Sequence, residues 1–355
     1  MHFIHDTLAQ RVRFGSGAAA EHLAAEIAEL GAERVMVIAS PSSRELAARI
    51  TAGLPVAHRH DEVVMHVPVE VARRARTAAA EHAADVLVCI GGGSATGLAK
   101  AVALDSPANA PLPIVAVPTT YAGSEATPVW GLTEAGTKTT GSDPRVLPRT
   151  VVYDAALTLG LPVPLSVASG LNALAHCVDS MWAPRADPIN QALSVEGVRA
   201  LRDGLPRVAA EPAALPGREQ ALYGAYLSAV AFASAGSGLH HKICHVLGGM
   251  FNLPHAQTHA VVLPYVLAFN APAAPDAADR LAAAFDASSA TEGLALLRER
   301  LEAPRSLREL GMPREGVDAA AEAVVAATPA GNPRPIDVDE IAALLGAAWE
   351  GNEPR

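Results

Sequence analysis

The residues best suited to chemistry are a set of histidines and one asparagine in the second half of the chain. Asn172 and His176 lie four apart in a helical pattern and therefore share one helix face. His241 and His245 repeat that spacing, His255 follows Leu253-Pro254 in a loop, and His259 lies one turn further on. A single histidine is more often structural than functional. Two HxxxH pairs and an Asn/His pair in one helical region point instead to a shared site for metal or proton chemistry. A metal site on helices normally includes a carboxylate or thiolate, although three neutral imidazoles can suffice. Here the first helix offers Asn172, a neutral and weak ligand, so a divalent cation gains little charge compensation. The pattern predicts metal binding that is weak or dispensable.

A second set of residues lies in the first half. Ile90 ends an apolar run, Gly91-Gly92-Gly93-Ser94 follows, and a helical pattern runs from Ala95 through Lys100 to Leu104. Glycines let the backbone approach a phosphate closely, and a helix start supplies free N–H groups and a positive dipole end. A glycine triplet alone is also explained by a tight turn; the strand–glycine–helix context favours phosphate. The run Pro118-Thr119-Thr120-Tyr121-Ala122-Gly123-Ser124-Glu125-Ala126-Thr127 leaves another strand. Its hydroxyls on Thr119, Thr120, Ser124 and Thr127 suit a pyrophosphate or ribose, with a capped loop as the plainer reading. Ser40 ends a further strand, where an acidic residue would hold ribose hydroxyls and repel a 2′-phosphate. The run Ser40-Pro41-Ser42-Ser43-Arg44 carries no carboxylate and one arginine. NADH and NADPH therefore both remain open, and Ser40 can also cap a helix.

These residues need elements to hold them. Apolar runs at 34–39, 85–90, 113–118 and 150–154, with helical patterns between the first three, predict parallel strands covered on both faces. That is a doubly wound α/β domain, expected over residues 1–159. Beyond Leu159-Gly160-Leu161-Pro162 the pattern is helical, and residues 160–355 are expected to form an all-helical domain. The chain's 355 residues suffice for two cores. Only 4% of residues are aromatic and alanine is abundant, which favours closely packed helices over a β-sandwich. The net charge of −10 and the absence of a Lys/Arg block exclude nucleic acid and anionic membrane as natural partners. Cys89, Cys177 and Cys244 form no CxxC pair and read as reduced thiols. With no signal-peptide pattern at the start and no long apolar span, the expected location is the cytoplasm.

The glycine loop, Pro118-Thr119-Thr120 with Gly123-Ser124-Glu125, and the helical histidine set occur in the order seen in iron-containing alcohol dehydrogenases, which the chain resembles over nearly its whole length. The resemblance implies a Rossmann-like α/β domain followed by an all-α domain, the dehydroquinate synthase-like fold. In that family an Asp and three His hold the metal. By motif, Asn172 takes the Asp position, while His176, His241 and His255 match the histidines, leaving vestigial ligand positions and no metal assigned. His245 matches a further active-site histidine. Gly97 stands where the family loop usually has Asp. These departures, with Tyr121-Ala122-Gly123-Ser124-Glu125, Pro128-Val129-Trp130-Gly131, Lys138-Thr139-Thr140-Gly141 and His240-His241-Lys242-Ile243-Cys244-His245, are similar to the maleylacetate reductase branch.

That branch implies a homodimeric, usually metal-independent, NADH- or NADPH-dependent reductase of bacterial aromatic degradation, turning the dicarboxylate enone maleylacetate into 3-oxoadipate. Hydride would reach the alkene carbon β to the ketone, and His241, His245 or His255 would stabilise the enolate, with His176 and Asn172 orienting or donating. Lys242 or Arg145 would meet the substrate carboxylates, and Lys138 resembles a family lysine near the nicotinamide ribose. The alternatives are a metal-dependent alcohol dehydrogenase that tolerates Asn172, a dehydroquinate synthase-like lyase, and a scaffold with a relict cofactor site.

Overall fold

The computed structural model describes residues 2–107, 109–134 and 137–354. The chain forms two compact units, one of Leu8–Leu161 and one of Met1–Thr7 with Pro162–Arg355. The expected boundary at 159/160 thus lies two residues away from the observed one, and the first seven residues go with the helical unit. Polar contacts tie them there: His5 Nδ1 lies 2.8 Å from Asp187 Oδ2 and 3.3 Å from Ser234 Oγ.

The α/β unit runs β1 (Arg11–Phe14), α1 (Ala19–Leu30), β2 (Val35–Ala39), α2 (Arg44–Ile50), β3 (Val56–His60), α3 (Val69–Glu81), β4 (Val86–Gly91), α4 (Gly93–Leu104), β5 (Ile114–Pro118), β6 (Val129–Glu134), β7 (Thr137–Ser142) and β8 (Thr150–Tyr153). Six strands make one parallel sheet in the order β1-β8-β5-β4-β2-β3. The four expected strands are its interior, β2, β4, β5 and β8, buried at every position. Side chains alternate between two faces. Met36, Ile38, Leu87 and Cys89 pack on α3 and α4, whereas Val35, Val37, Val88 and Ile90 pack on α1 and α2.

The strands that the sequence reading did not expect are β1 and β3 at the edges, Arg-Val-Arg-Phe and Val-Ala-His-Arg-His, and the antiparallel hairpin β6–β7. An edge strand is half solvated, so its residues need not form an apolar run. In the hairpin Trp130 faces Gly141, and a Cβ at Gly141 would lie 2.5 Å from the indole. The ring fills space that only glycine leaves open.

The helical unit holds α5 (Val163–Ser180), α6 (Pro188–Ala210), α7 (Leu215–Ala235), α8 (Leu239–Phe251), α9 (His255–Asn270), α10 (Pro275–Phe285), α11 (Ala290–Arg300), α12 (Val317–Ala327) and α13 (Val338–Glu350), with no strand among its described residues. Buried residues run without a break from Ser166 to Ser180 of α5, so the helix is enclosed on all sides. A Cβ on Gly204 of α6 would lie 2.9 Å from the Ala221 backbone of α7, the close packing that an Ala/Gly-rich composition permits. Helices α8, α9, α12 and α13 share one apolar core through Ile243, Leu247, Val262, Val266, Val324 and Leu345. Among the described residues no helix is long and apolar enough to cross a membrane.

Candidate active site

In the α/β unit three loops leave adjacent parallel strands at the same sheet edge. β4 pairs with β5 so that Gly91 stands beside Pro118, and with β2 so that Ile90 stands beside Ala39. The glycine loop, the hydroxyl-rich loop and the turn at Ser40 therefore start side by side. The strand runs one residue further than expected and α4 begins at Gly93, with Gly92 as its N-cap. Gly91 has φ of 147°, a region that favours glycine. Its carbonyl accepts the Thr119 N–H at 3.0 Å. A Cβ on Gly92 would lie 2.9 Å from Thr120 Cγ2. The two loops touch because glycine is there, which leaves the first amides of α4, at Gly93 and Ser94, beside the hydroxyl loop. This cradle fits a dinucleotide pyrophosphate.

Lys100 organises the second loop from below. It is fully buried, and its Nζ donates to the carbonyls of Ser124, Thr127 and Val129 at 2.6, 2.7 and 2.7 Å and lies 3.2 Å from Thr127 Oγ1. Burial pushes the ammonium down to about 7 against the pull of Glu125, whose carboxyl burial raises. Tyr153 donates to Glu125 at 2.8 Å, and Gln10 donates to the Glu125 carbonyl at 2.9 Å. Thr127 is thus turned inward to hold the loop, while Thr119, Thr120 and Ser124 are half-buried. Ser40 meets the hydroxyls of Ser42 and Ser43 at 2.9 and 3.3 Å. Arg44 pairs with Asp61, a carboxylate just beyond β3 that the sequence reading did not weigh. Lys138 lies on β7, its side chain outside the described residues. Arg145 is bonded to Asp143 at 2.7 Å and to the Ser106 carbonyl at 3.1 Å, and is therefore already committed within the unit.

The helical unit brings its histidines together. His176 of α5 stacks on His241 of α8, with ring centroids 5.0 Å apart and planes 10° apart, and Phe232 of α7 lies against both. His259 of α9 stands 5.1 Å from His241 and 4.5 Å from His255, and His245 stands 6.2 Å from His241. Asn172 is buried one turn before His176 on the same helix. Lys242 is half-buried beside His241. His255, expected in a loop, is the first residue of α9.

Asp179 was missed in the sequence, although it lies one turn after His176 on α5. Its Oδ2 meets His241 Nδ1 at 2.7 Å and accepts the Gly238 N–H at 2.8 Å. The carboxylate caps α8, whose own N-cap, Gly238, has no side chain to do so. A Cβ there would lie 2.5 Å from Asp179 Oδ1. Burial lifts Asp179 to about 7, although the first amides of α8 and the charge of Lys242 hold it down. The Asp179 bond fixes the His241 ring so that Nε2 faces away from it.

Burial lowers His176 to about 4 and His240 to about 3, and drives His241 and His259 well below the ordinary imidazole value. Near neutral pH these four imidazoles are uncharged. His176 Nδ1, His241 Nε2 and His259 Nε2 are buried without a hydrogen-bond partner, which is costly unless a ligand satisfies them. At the four family ligand positions Asn172 offers an amide in place of the carboxylate, beside His176, His241 and His255. Among the described residues the His/Cys/Asp/Glu trio whose donor atoms lie within 4.8 Å of one another is His240, Cys244 and His259.

The first part of the chain, residues 9–155, matches the family model for iron-containing alcohol dehydrogenase, and residues 166–349 match that for the Fe-containing alcohol dehydrogenase family, C-terminal. The chain is 47% identical to the maleylacetate reductase of Burkholderia cepacia over 354 residues, 99% of each chain, and 46% identical to that of Delftia acidovorans over 357 residues, 100% of each. It is similar to the crystal structure of maleylacetate reductase from Agrobacterium tumefaciens, with a TM-score of 0.93 and 43% identity, each chain covered in full. An iron-containing alcohol dehydrogenase from Corynebacterium glutamicum gives a TM-score of 0.96 and 56% identity over 100% of this chain and 98% of that one.

Proposed function

This chain belongs to the iron-containing alcohol dehydrogenase family, and on that footing we propose that it reduces maleylacetate to 3-oxoadipate with NADH or NADPH and without a metal. The observation that carries the reading is the neutral pocket itself: buried imidazole nitrogens lacking partners, and an amide where the family has its charged ligand. Full-length similarity to maleylacetate reductases supports the same substrate.

A dihydronicotinamide, when bound, would supply hydride for the alkene carbon β to the substrate ketone. The α/β unit's task is to hold the dinucleotide: the amides at Gly93 and Ser94 meet the pyrophosphate, Thr119, Thr120 and Ser124 offer hydroxyls, and Lys100 fixes the loop that carries Ser124. The helical unit handles the charge that appears on the ketone oxygen. In the tautomer in which the Asp179 carboxyl carries the proton it shares with His241 Nδ1, His241 Nε2–H donates to that oxygen, together with an N–H of His176 or His255. Such a preorganised donor in a dry pocket is worth a factor of about 10²–10³ in turnover. Asn172 orients the substrate through its amide. His245, half-buried, delivers the proton that completes the enolate carbon. Lys242 pairs with a substrate carboxylate, a role for which Arg145 has no free fork. The working assembly is a homodimer.

The test is nicotinamide oxidation with maleylacetate before and after exhaustive dialysis against a chelator. One NAD(P)H should be consumed per substrate, and most of the rate should survive. Loss of activity restored only by iron or zinc, with turnover of simple alcohols, would select the metal-dependent dehydrogenase. Cofactor binding without a net absorbance change would select the lyase.

A further inference from the structure

Three donors stand together in the helical unit apart from the ligand positions of the family. His240 and Cys244 lie four apart on α8 and share a face, and His259 reaches them from α9. Cys244 Sγ is 3.7 Å from His240 Nε2, which is 2.9 Å from His259 Nδ1, and all three donor atoms lie within 4.8 Å of one another. None of the three is more than 1% exposed. We propose that His240, Cys244 and His259 form a binding site for a thiophilic divalent cation of the zinc class, separate from the family metal position.

One sulfur and two imidazole nitrogens favour zinc-like ions over the hard ions that prefer oxygen. Bonds of about 2.0–2.1 Å to nitrogen and 2.3 Å to sulfur put neighbouring ligands of a tetrahedral site roughly 3.3–3.6 Å apart. The His240–His259 and His240–Cys244 separations lie within a few tenths of an ångström of that range, and the third is no more than 4.8 Å. Hydrogen bonding serves the trio poorly, because the single His240 Nε2 faces both Cys244 and His259 and can only donate to one or accept. The thiol is the selective element. Burial and the neighbouring Asp179 charge raise it well above its ordinary value. The incoming ion must therefore displace its proton, forming a sulfur–metal bond and releasing one H⁺ to solvent. The ion, the thiolate and the Asp179 carboxylate together then carry no net charge.

The chelator-treated, reduced protein titrated with Co(II) tests the site. One Co(II) per chain should bind with release of a proton, giving a thiolate-to-cobalt charge-transfer band in the near ultraviolet. Zn(II), which outranks Co(II) in affinity, should bleach it. The band should persist in His176→Ala and His255→Ala and vanish in Cys244→Ser and His259→Gln. A wild-type protein without the band, a band that survives Cys244→Ser, or its loss in folded His255→Ala would overturn the assignment. The band reads binding and not turnover, so it stands or falls independently of the reductase activity.

Discussion

The two units each bury polar side chains in their interiors, and they treat them in opposite ways. In the α/β unit Lys100 is enclosed, yet its ammonium is surrounded by three carbonyls and a hydroxyl, and the nearby Glu125 is held by Tyr153. In the helical unit His176, His241 and His259 are also buried, yet each keeps a nitrogen with no partner. A fully served buried network rigidifies a scaffold, whereas a partly served one is costly and persists where a ligand completes it. The first region is built to hold a loop still. The second is built to receive something.

The largest effect that can break this contrast is at Lys100. Lys100→Met leaves three carbonyls without their donor and Glu125 without a counter-charge, and should cost about 3–5 kcal/mol of stability, read from urea unfolding. A loss below about 1 kcal/mol would show that the loop does not depend on the knot. Next comes His241→Ala, expected to lower turnover about a hundredfold or more, with a stability loss smaller than at Lys100, from the lost ring packing and from the partner that Asp179 loses. A large stability loss with turnover intact would reverse the roles given to the two regions.

The smallest effect concerns pH. His176 has a folded-state value of about 4 against an ordinary 6.5, so the fold favours its neutral form. That stabilisation is fully present above pH 6.5 and is lost as pH falls toward 4. Between pH 7 and 5 it amounts to about 2 kcal/mol for this one group. Urea midpoints measured at those two pH values should differ less in His176→Gln than in wild type. Equal slopes would mean that burial does not hold this imidazole neutral.

Much of this was legible in the residue order. The interior strands β2, β4, β5 and β8 are continuous apolar runs because both faces of the sheet are covered, while β1 and β3 escaped notice because an edge strand tolerates arginine and histidine. The glycine loop was readable from its place between strand and helix, and the clustering of His176, His241, His245 and His255 from helical spacing. Asp179 could have been found by the same spacing, one turn beyond His176. So could the pairing of His240 with Cys244, four residues on along α8, whereas its contact with His259 needed the fold, since that residue is on another helix.

Residue types and their periods along the chain thus determined the layer pattern, the phosphate loop and which histidines share a helix face, because those follow from backbone geometry alone. Packing decided the rest: that Asp179 orients His241, that Lys100 is spent on Ser124, Thr127 and Val129, and that the histidines are neutral. Those properties depend on how completely water is excluded and on which atoms replace it, and both are set by segments far apart in the sequence.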